Sequence, residues 1–357
     1  MDGGPAHTEM LRKAFDSFVA QADCDARKLA ALAQLAAKNG PVHRVYDLAM
    51  RARALAPDDP DVRSMTDICL SAGVPSWHFR IVRDTHRNDS YEAALRRAVR
   101  PDSRVLDIGA GTGLLGMMAA RAGAAEVASC EMNAPVAAAA AHIVAQNGLA
   151  ERVRIIPKHS KDLDAEADLG GRVDILVQEI VANNVVGEDV LPAMEHAVRQ
   201  FLKPGGVAIP RSAAAQVALC AWPDLEKSLL GEVSGFDLSG FNPLLQRPIR
   251  LPAGEPGLEL RSTVAALFDF DFESGGPYPN AADVDLTAEG GAADGIVQWL
   301  RLQMDESGVY ENAPGRGWHS AWACLFYPFS GARTFSAGET VRVHGAHSAG
   351  TLRLWVD

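Results

Sequence analysis

Over the first 73 residues apolar side chains recur every three or four positions and never alternate, the pattern of helices that each lay one face on a core. Leu11, Ala14, Phe15 and Phe18 set one stripe, and Leu29, Leu32, Leu35 and Ala36 a second. Asn39-Gly40-Pro41 stops the second helix, with glycine past its end and proline beyond. A third helix is expected over Val45 to Leu55, and Ala56-Pro57-Asp58-Asp59-Pro60 breaks it before a fourth. From Arg104 the pattern changes to short apolar runs: Arg104 to Ile108, Glu126 to Cys130, Val153 to Ile156 and Val173 to Val177. Alanine-rich helical stretches such as Leu114 to Ala122 and Pro135 to Gln146 lie between them. Strands alternating with helices specify a parallel sheet covered on both faces. Past Pro210 helical spacing fades, and Gln216 to Ala221, Thr263 to Phe272, Ile296 to Met304, Ala323 to Tyr327 and Thr351 to Val356 predict a largely antiparallel β domain. The expected organisation is a helical cap over 1–75, an α/β core over 76–210 and a β domain over 211–357.

Composition narrows the class of protein. At 48% hydrophobic and 22% charged, the 357 residues can bury a sizeable core. The excess of 45 acidic over 34 basic residues, a net charge of −11, excludes a protein that binds nucleic acid by tracking its phosphates. No apolar run approaches the roughly 18 residues of a membrane span, and Met1-Asp2-Gly3-Gly4-Pro5 has no signal-peptide character. The five cysteines are widely spaced and include no Cys-x-x-Cys pair, so neither a disulfide framework nor a metal site is expected. A soluble, cytoplasmic protein is the expectation.

The candidate chemistry begins where the first predicted strand meets its helix. Val105-Leu106-Asp107-Ile108-Gly109-Ala110-Gly111-Thr112-Gly113 turns on three glycines, which let the chain bend tightly and a ligand approach the backbone. Dinucleotide enzymes share such turns. Here Leu114-Leu115 follows, and Glu131 ends the next strand, where its carboxylate can accept hydrogen bonds from both hydroxyls of a ribose. The Asp-x-Gly-x-Gly form followed by this acidic residue resembles the first motif of class I S-adenosylmethionine-dependent methyltransferases. That resemblance implies a Rossmann-like core and cofactor contacts from Asp107, Gly109, Gly111, Gly113, Leu114, Glu131 and Met132. It places the adenine near His159 and Ser160, in Pro157-Lys158-His159-Ser160-Lys161 after the third strand.

The fourth strand runs into Glu179, and nine positions later comes Glu188. Ligands in open α/β sheets sit beyond the carboxyl ends of the strands, and two carboxylates there suit the planar donor fork of a guanidinium. This pair resembles the double-Glu loop of the protein arginine methyltransferases. Upstream, Asp84-Thr85-His86-Arg87-Asn88-Asp89-Ser90-Tyr91 resembles that family's Asp-x-x-Arg-x-x-x-Tyr element, which implies that Arg87 meets the cofactor's carboxylate. Downstream, Leu202-Lys203-Pro204-Gly205-Gly206 with Ile209-Pro210, and then Ser234-Gly235-Phe236-Asp237, follow the family in order. The resemblance covers about Trp77 to the C-terminus. Two departures touch the acceptor side: Gly317-Trp318-His319-Ser320 stands where the family has Thr-His-Trp, and the double-Glu loop lacks Trp-Met-Gly-Tyr.

The implied enzyme is an S-adenosylmethionine-dependent N-methyltransferase of the arginine guanidino group. Glu179 and Glu188 hold and polarise the acceptor, and Asp84 with His319 forms a relay that takes up the proton. The family implies a homodimer. Between Gly254 and Tyr310 stand 11 acidic and two basic residues, a field that attracts cationic acceptors. The altered acceptor loop and the extra cap favour the bacterial branch that methylates free L-arginine in natural-product biosynthesis. The alternatives are a protein or peptide arginine methyltransferase and a non-catalytic cofactor-binding scaffold.

Overall fold

The computed structural model describes residues 5–245, 247–315, 320–348 and 350–357. Four helices open the chain: α1 (Pro5–Gln21), α2 (Ala26–Asn39), α3 (Val45–Leu55) and α4 (Pro60–Ser71). Asp25 caps α2 by accepting the Lys28 N–H, and Asp59 caps α4 through the Asp61 and Val62 N–H groups, with Pro60 opening the helix. Both caps satisfy amide donors that a helix start leaves without partners. Phe15, Leu29, Leu48 and Val62 bury into a core of the cap's own. The fully buried Ala30, Ala33 and Ala36 keep the contact face of α2 small. The Asn133 side-chain amide donates to the Gly73 carbonyl at 3.1 Å, tying the end of the cap to the next layer.

Two further helices, α5 (Trp77–Val82) and α6 (Thr85–Ala98), lead into a five-stranded parallel sheet. Its strands are β1 (Arg104–Ile108), β2 (Glu126–Cys130), β3 (Val153–Ile156), β4 (Val173–Gln178) and β5 (Leu202–Ile209), in the order β3-β2-β1-β4-β5. Helices α7 (Leu114–Ala122), α8 (Ala134–Gln146) and α9 (Val190–Phe201) connect them. The strand order reverses between β1 and β4, so a crevice opens beyond their carboxyl ends, where such sheets bind ligands. Burial explains the apolar strands, since the four inner residues of β1 and the last four of β4 are all buried.

The rest of the chain is antiparallel. Ser212–Ala221, Gly291–Gln303 and Cys324–Phe335 form the middle of a seven-stranded sheet, and Ala281–Thr287, Thr340–Ser348 and Thr351–Val356 form a three-stranded one. The expected layout of cap, Rossmann-like α/β core and antiparallel β domain is met. The sequence reading passes over Ala281–Thr287 and Thr340–Ser348, yet both alternate: Val284 and Leu286 turn inward while Asp283 and Asp285 face water. Polar residues alternate with apolar ones over 283–287 and 340–344 because one face of this sheet is solvated. No helix among the described residues is long and apolar enough to cross a membrane.

Candidate active site

At the carboxyl end of β1 the chain passes through Gly109, Gly111 and Gly113 with φ of +79°, +53° and +78°. Side chains rarely adopt this region, and at Gly109 a Cβ would also sit 2.6 Å from Ile180 Cγ2. Behind the turn, the Asp107 Oδ2 accepts the Gly116 N–H at 3.1 Å and the Ser129 hydroxyl at 2.9 Å. Burial pushes the Asp107 carboxyl up to about 6. Gly116 belongs to the same lock, because a Cβ there would lie 2.4 Å from Ser129 Oγ. In front of the turn, Glu131 accepts the Gly111 N–H at 3.0 Å and the Asn133 N–H at 2.8 Å, one on each oxygen. A carboxylate oxygen carries two acceptor sites, so each keeps one free.

These groups wall one end of a cleft of about 800 Å³. Gly109, Gly111, Leu114, Glu131, Met132, His159 and Ser160 line it, as do Trp77 and His78 from α5. Their two rings stack at 3.9 Å, and burial holds the His78 imidazole below its usual pKa. The other end of the cleft is acidic. Glu179 follows β4 directly, and its Oε2 pairs with Arg87 Nη2 at 2.8 Å, both side chains buried. Arg87 is aimed there by its own helix: Asp84 caps α6 through the Arg87 N–H, and one turn on, the Tyr91 hydroxyl donates to the Gln178 carbonyl at 2.9 Å. The Arg87 guanidinium also lies 4.9 Å from the centre of the Tyr91 ring. Arg87 Nε and Glu179 Oε1 remain buried without a partner, which is costly unless a ligand meets them. Burial pushes the Glu179 carboxyl up to about 7; the Glu188 charge adds to the rise and Arg87 opposes it. Glu188 stands in the open cleft but is crowded by protein on most sides, which raises its carboxyl too.

The loop carrying Glu188 is strained. Of the four described non-glycine residues with positive φ, three are in it: Val185 at +68°, Glu188 at +59° and Asp189 at +56°. For a β-branched residue such as valine this conformation is strongly disfavoured, and its persistence means that surrounding bonds impose it. They come from the β domain. The Asn183 carbonyl accepts from the Gln298 amide at 3.1 Å and its side-chain oxygen from the Ala323 N–H at 2.6 Å, while the Trp322 indole N–H donates to the Val181 carbonyl at 2.7 Å.

An arginine N(omega)-methyltransferase of Streptomyces achromogenes subsp. streptozoticus is 35% identical over 86% of this chain and 87% of its own length. This chain belongs to the arginine N-methyltransferase family. A family model described as ribosomal protein L11 methyltransferase (PrmA) matches residues 92–211. Protein arginine N-methyltransferase 1.6 of Arabidopsis thaliana is 29% identical over 75% of the chain, which spans 41% of that protein's length. In fold, the Trypanosoma brucei PRMT1 enzyme–prozyme complex with AdoHcy aligns at a TM-score of 0.69, with 23% identity, over 80% of this chain and 94% of that one.

Within this arginine N-methyltransferase framework, the structure brings Arg87, Gly109, Gly111, Leu114, Glu131, Met132, His159, Ser160, Glu179 and Glu188 to one cleft. Asp107 and Gly113 stay behind it: the first locks β1 to α7 and β2, and the second packs on Val144 as it opens α7. His319 lies outside the described residues. Asp84 is buried and committed, since besides the Arg87 N–H it accepts the Tyr310 hydroxyl and the Ala321 N–H, both at 2.9 Å. Asp84→Ala leaves these buried donors unmet, and each such group costs about 1–3 kcal/mol. The urea midpoint is expected to fall sharply in this variant. A midpoint that holds while turnover vanishes would instead favour the proton-relay role. Sequence reasoning missed Gly116, Ser129, Asn183 and Asn184. A glycine inside a helical pattern was the one available signal, for Gly116.

Proposed function

We propose that this protein transfers a methyl group from S-adenosylmethionine to a guanidino nitrogen of free L-arginine. The observation that carries the reading is the pair Glu179 and Glu188 facing one cleft at the end opposite Glu131. The residues present fit the cofactor. Glu131 has acceptor sites left for ribose hydroxyls, the wall of Met132, His159 and Ser160 suits the adenine, and the unmet Arg87 Nε offers a donor to the carboxylate. When bound, the cofactor supplies an electrophilic methyl group on a sulfonium. The protein's task is to present a nucleophile, and a guanidinium is a poor one because its positive charge is delocalised and persistent. Two carboxylates draw that charge towards the nitrogens they hold, leave the third richer in electrons and fix its direction. Orientation of bound reactants contributes several kcal/mol to rate. Glu179 is already paired with a guanidinium, that of Arg87, and this supports its suitability for such a group. Asp84 accepts the Ala321 N–H, two positions after His319, which supports the pairing of Asp84 with His319 in a proton relay.

The similarity to the Streptomyces enzyme, spanning nearly all of both chains, supports a free amino acid as acceptor. The acidic stretch between Gly254 and Tyr310 favours a second reading, a cationic arginine-rich peptide. Phe236, Phe241 and Leu244, more than 60% exposed, support the homodimer. Mass spectrometry with labelled S-adenosylmethionine tests the acceptor. A one-methyl gain on free arginine with arginine-rich peptides untouched is expected, and methylated peptide with inert free arginine would establish the second reading instead.

A further inference from the structure

The strands Thr340–Ser348 and Thr351–Val356 form a hairpin, and Gly350, just before the second strand, reaches the double-Glu loop. Gly350 lines the cleft alongside Glu188 and Asp189. Its carbonyl accepts from the Asn184 side-chain amide at 2.7 Å, while the Asn184 oxygen accepts the Gly187 N–H at 2.9 Å. One asparagine thus sets the residue before Glu188 and ties it to the C-terminal hairpin. Contact is close, since a Cβ on Gly350 would lie 3.5 Å from Gly187 Cα and 3.7 Å from the Val186 carbonyl. The hairpin is held from behind: the His347 N–H donates to the Asn280 carbonyl at 2.9 Å, and the His347 ring meets Phe268 and Phe270 edge-on.

We infer that Gly350, latched by Asn184, is the outer wall of the acceptor pocket, and that it selects a free arginine over an arginine within a chain. The inference rests on the proposed function and adds the device that enforces it. An arginine in a polypeptide must let the main chain leave the pocket on both sides, and Gly350, held beside Glu188, obstructs one exit. A free amino acid needs no such exit. Asn184 is therefore a positioning residue, acting through the hairpin and through the backbone of Gly187.

Asn184→Asp isolates the latch: it keeps an oxygen for the Gly187 N–H, loses the donor to Gly350 and sets a carboxylate against that carbonyl. Asn184→Ala removes both bonds. The acceptors to compare are L-arginine and acetyl-arginine N-methylamide, a single residue blocked on both sides. Wild type is expected to prefer L-arginine strongly. In Asn184→Asp, KM for L-arginine is expected to rise on the order of tenfold (about 1.4 kcal/mol) with kcat changed less. The preference for L-arginine over the blocked residue should fall by a similar factor, with cofactor affinity, read by calorimetry, retained. Asn184→Ala should show the same shift in preference together with a loss of kcat as Glu188 loses its register. An unchanged preference ratio in both variants, with wild type still selecting L-arginine, overturns the wall and leaves the proposed function standing. A wild type that accepts only blocked or peptide arginine overturns the proposed function itself.

Discussion

Glu179→Gln lowers kcat for arginine by about 10²–10³-fold, the loss typical of removing one preorganised electrostatic partner from a site that excludes water. Shape is preserved in this variant and only the charge is gone, so an amide can still meet a guanidinium N–H but no longer draws charge towards it. Cofactor should still bind, as calorimetry would show. A variant that binds cofactor and turns over at the wild-type rate removes Glu179 from the mechanism. The same carboxylate sets the pH dependence. Burial and Glu188 push it up to about 7, and only its ionised form holds a cation. In wild type, kcat/KM should therefore rise as pH rises through about 7, because that profile reports the free enzyme. In kcat the limb should lie at lower pH, since a bound guanidinium stabilises the carboxylate. Glu188→Gln removes the neighbouring negative charge, so the residual activity should keep its limb but at lower pH. A limb that stays in place after this change assigns it to another group.

Arg87→Met should have the largest effect on stability, since it removes one member of a buried ion pair and leaves the other. Such a change typically costs about 3–5 kcal/mol, against near zero when both members are replaced by apolar groups. Here the cost depends on pH in a definite direction. Arg87 holds the Glu179 carboxyl down, so without it that group titrates above about 7. A carboxyl raised above its ordinary value of 4.5 binds more protons folded than unfolded, and stability then falls as pH rises from near 4.5 through the raised value. The urea midpoint of Arg87→Met should thus lie near wild type at pH 5 and drop well below it at pH 8.5. Arg87→Met with Glu179→Met should recover most of that midpoint at pH 8.5 while remaining inactive. Equal losses at both pH values would show that packing, and not the unpaired charge, accounts for the damage. Cofactor affinity should also fall in the single variant, because Arg87 Nε is the unmet donor assigned to the cofactor's carboxylate.

The chain's local patterns were sufficient for the cap helices, the first four parallel strands and the glycine turn. Helical spacing, apolar strands and turn residues are local properties, and in this chain tertiary packing agreed with them. Glu131, Glu179 and Glu188 were legible because each lies at a strand end or in the loop that follows one, which topology alone sends to the crevice. Asp107 was legible as a motif residue, but its hydrogen bonds were not. Its side chain turns back on Gly116 and Ser129, and which face of a turn a carboxylate takes depends on neighbours 9 and 22 positions away. The partners of Asp84 were hidden for the same reason, since Tyr310 and Ala321 reach it across more than 220 positions. Asn183 and Asn184 carried no signal of their own, because a loop asparagine is ordinarily a solvated turn residue. What the sequence determined by itself is the order of elements, the glycine turn and the presence of two carboxylates at the cleft, all set by patterns within a few tens of residues. Only the tertiary structure decided that Arg87 faces Glu179, that the double-Glu loop is held in left-handed geometry and that the C-terminal hairpin borders the pocket. Those facts depend on hydrogen bonds between distant segments, which no local pattern encodes.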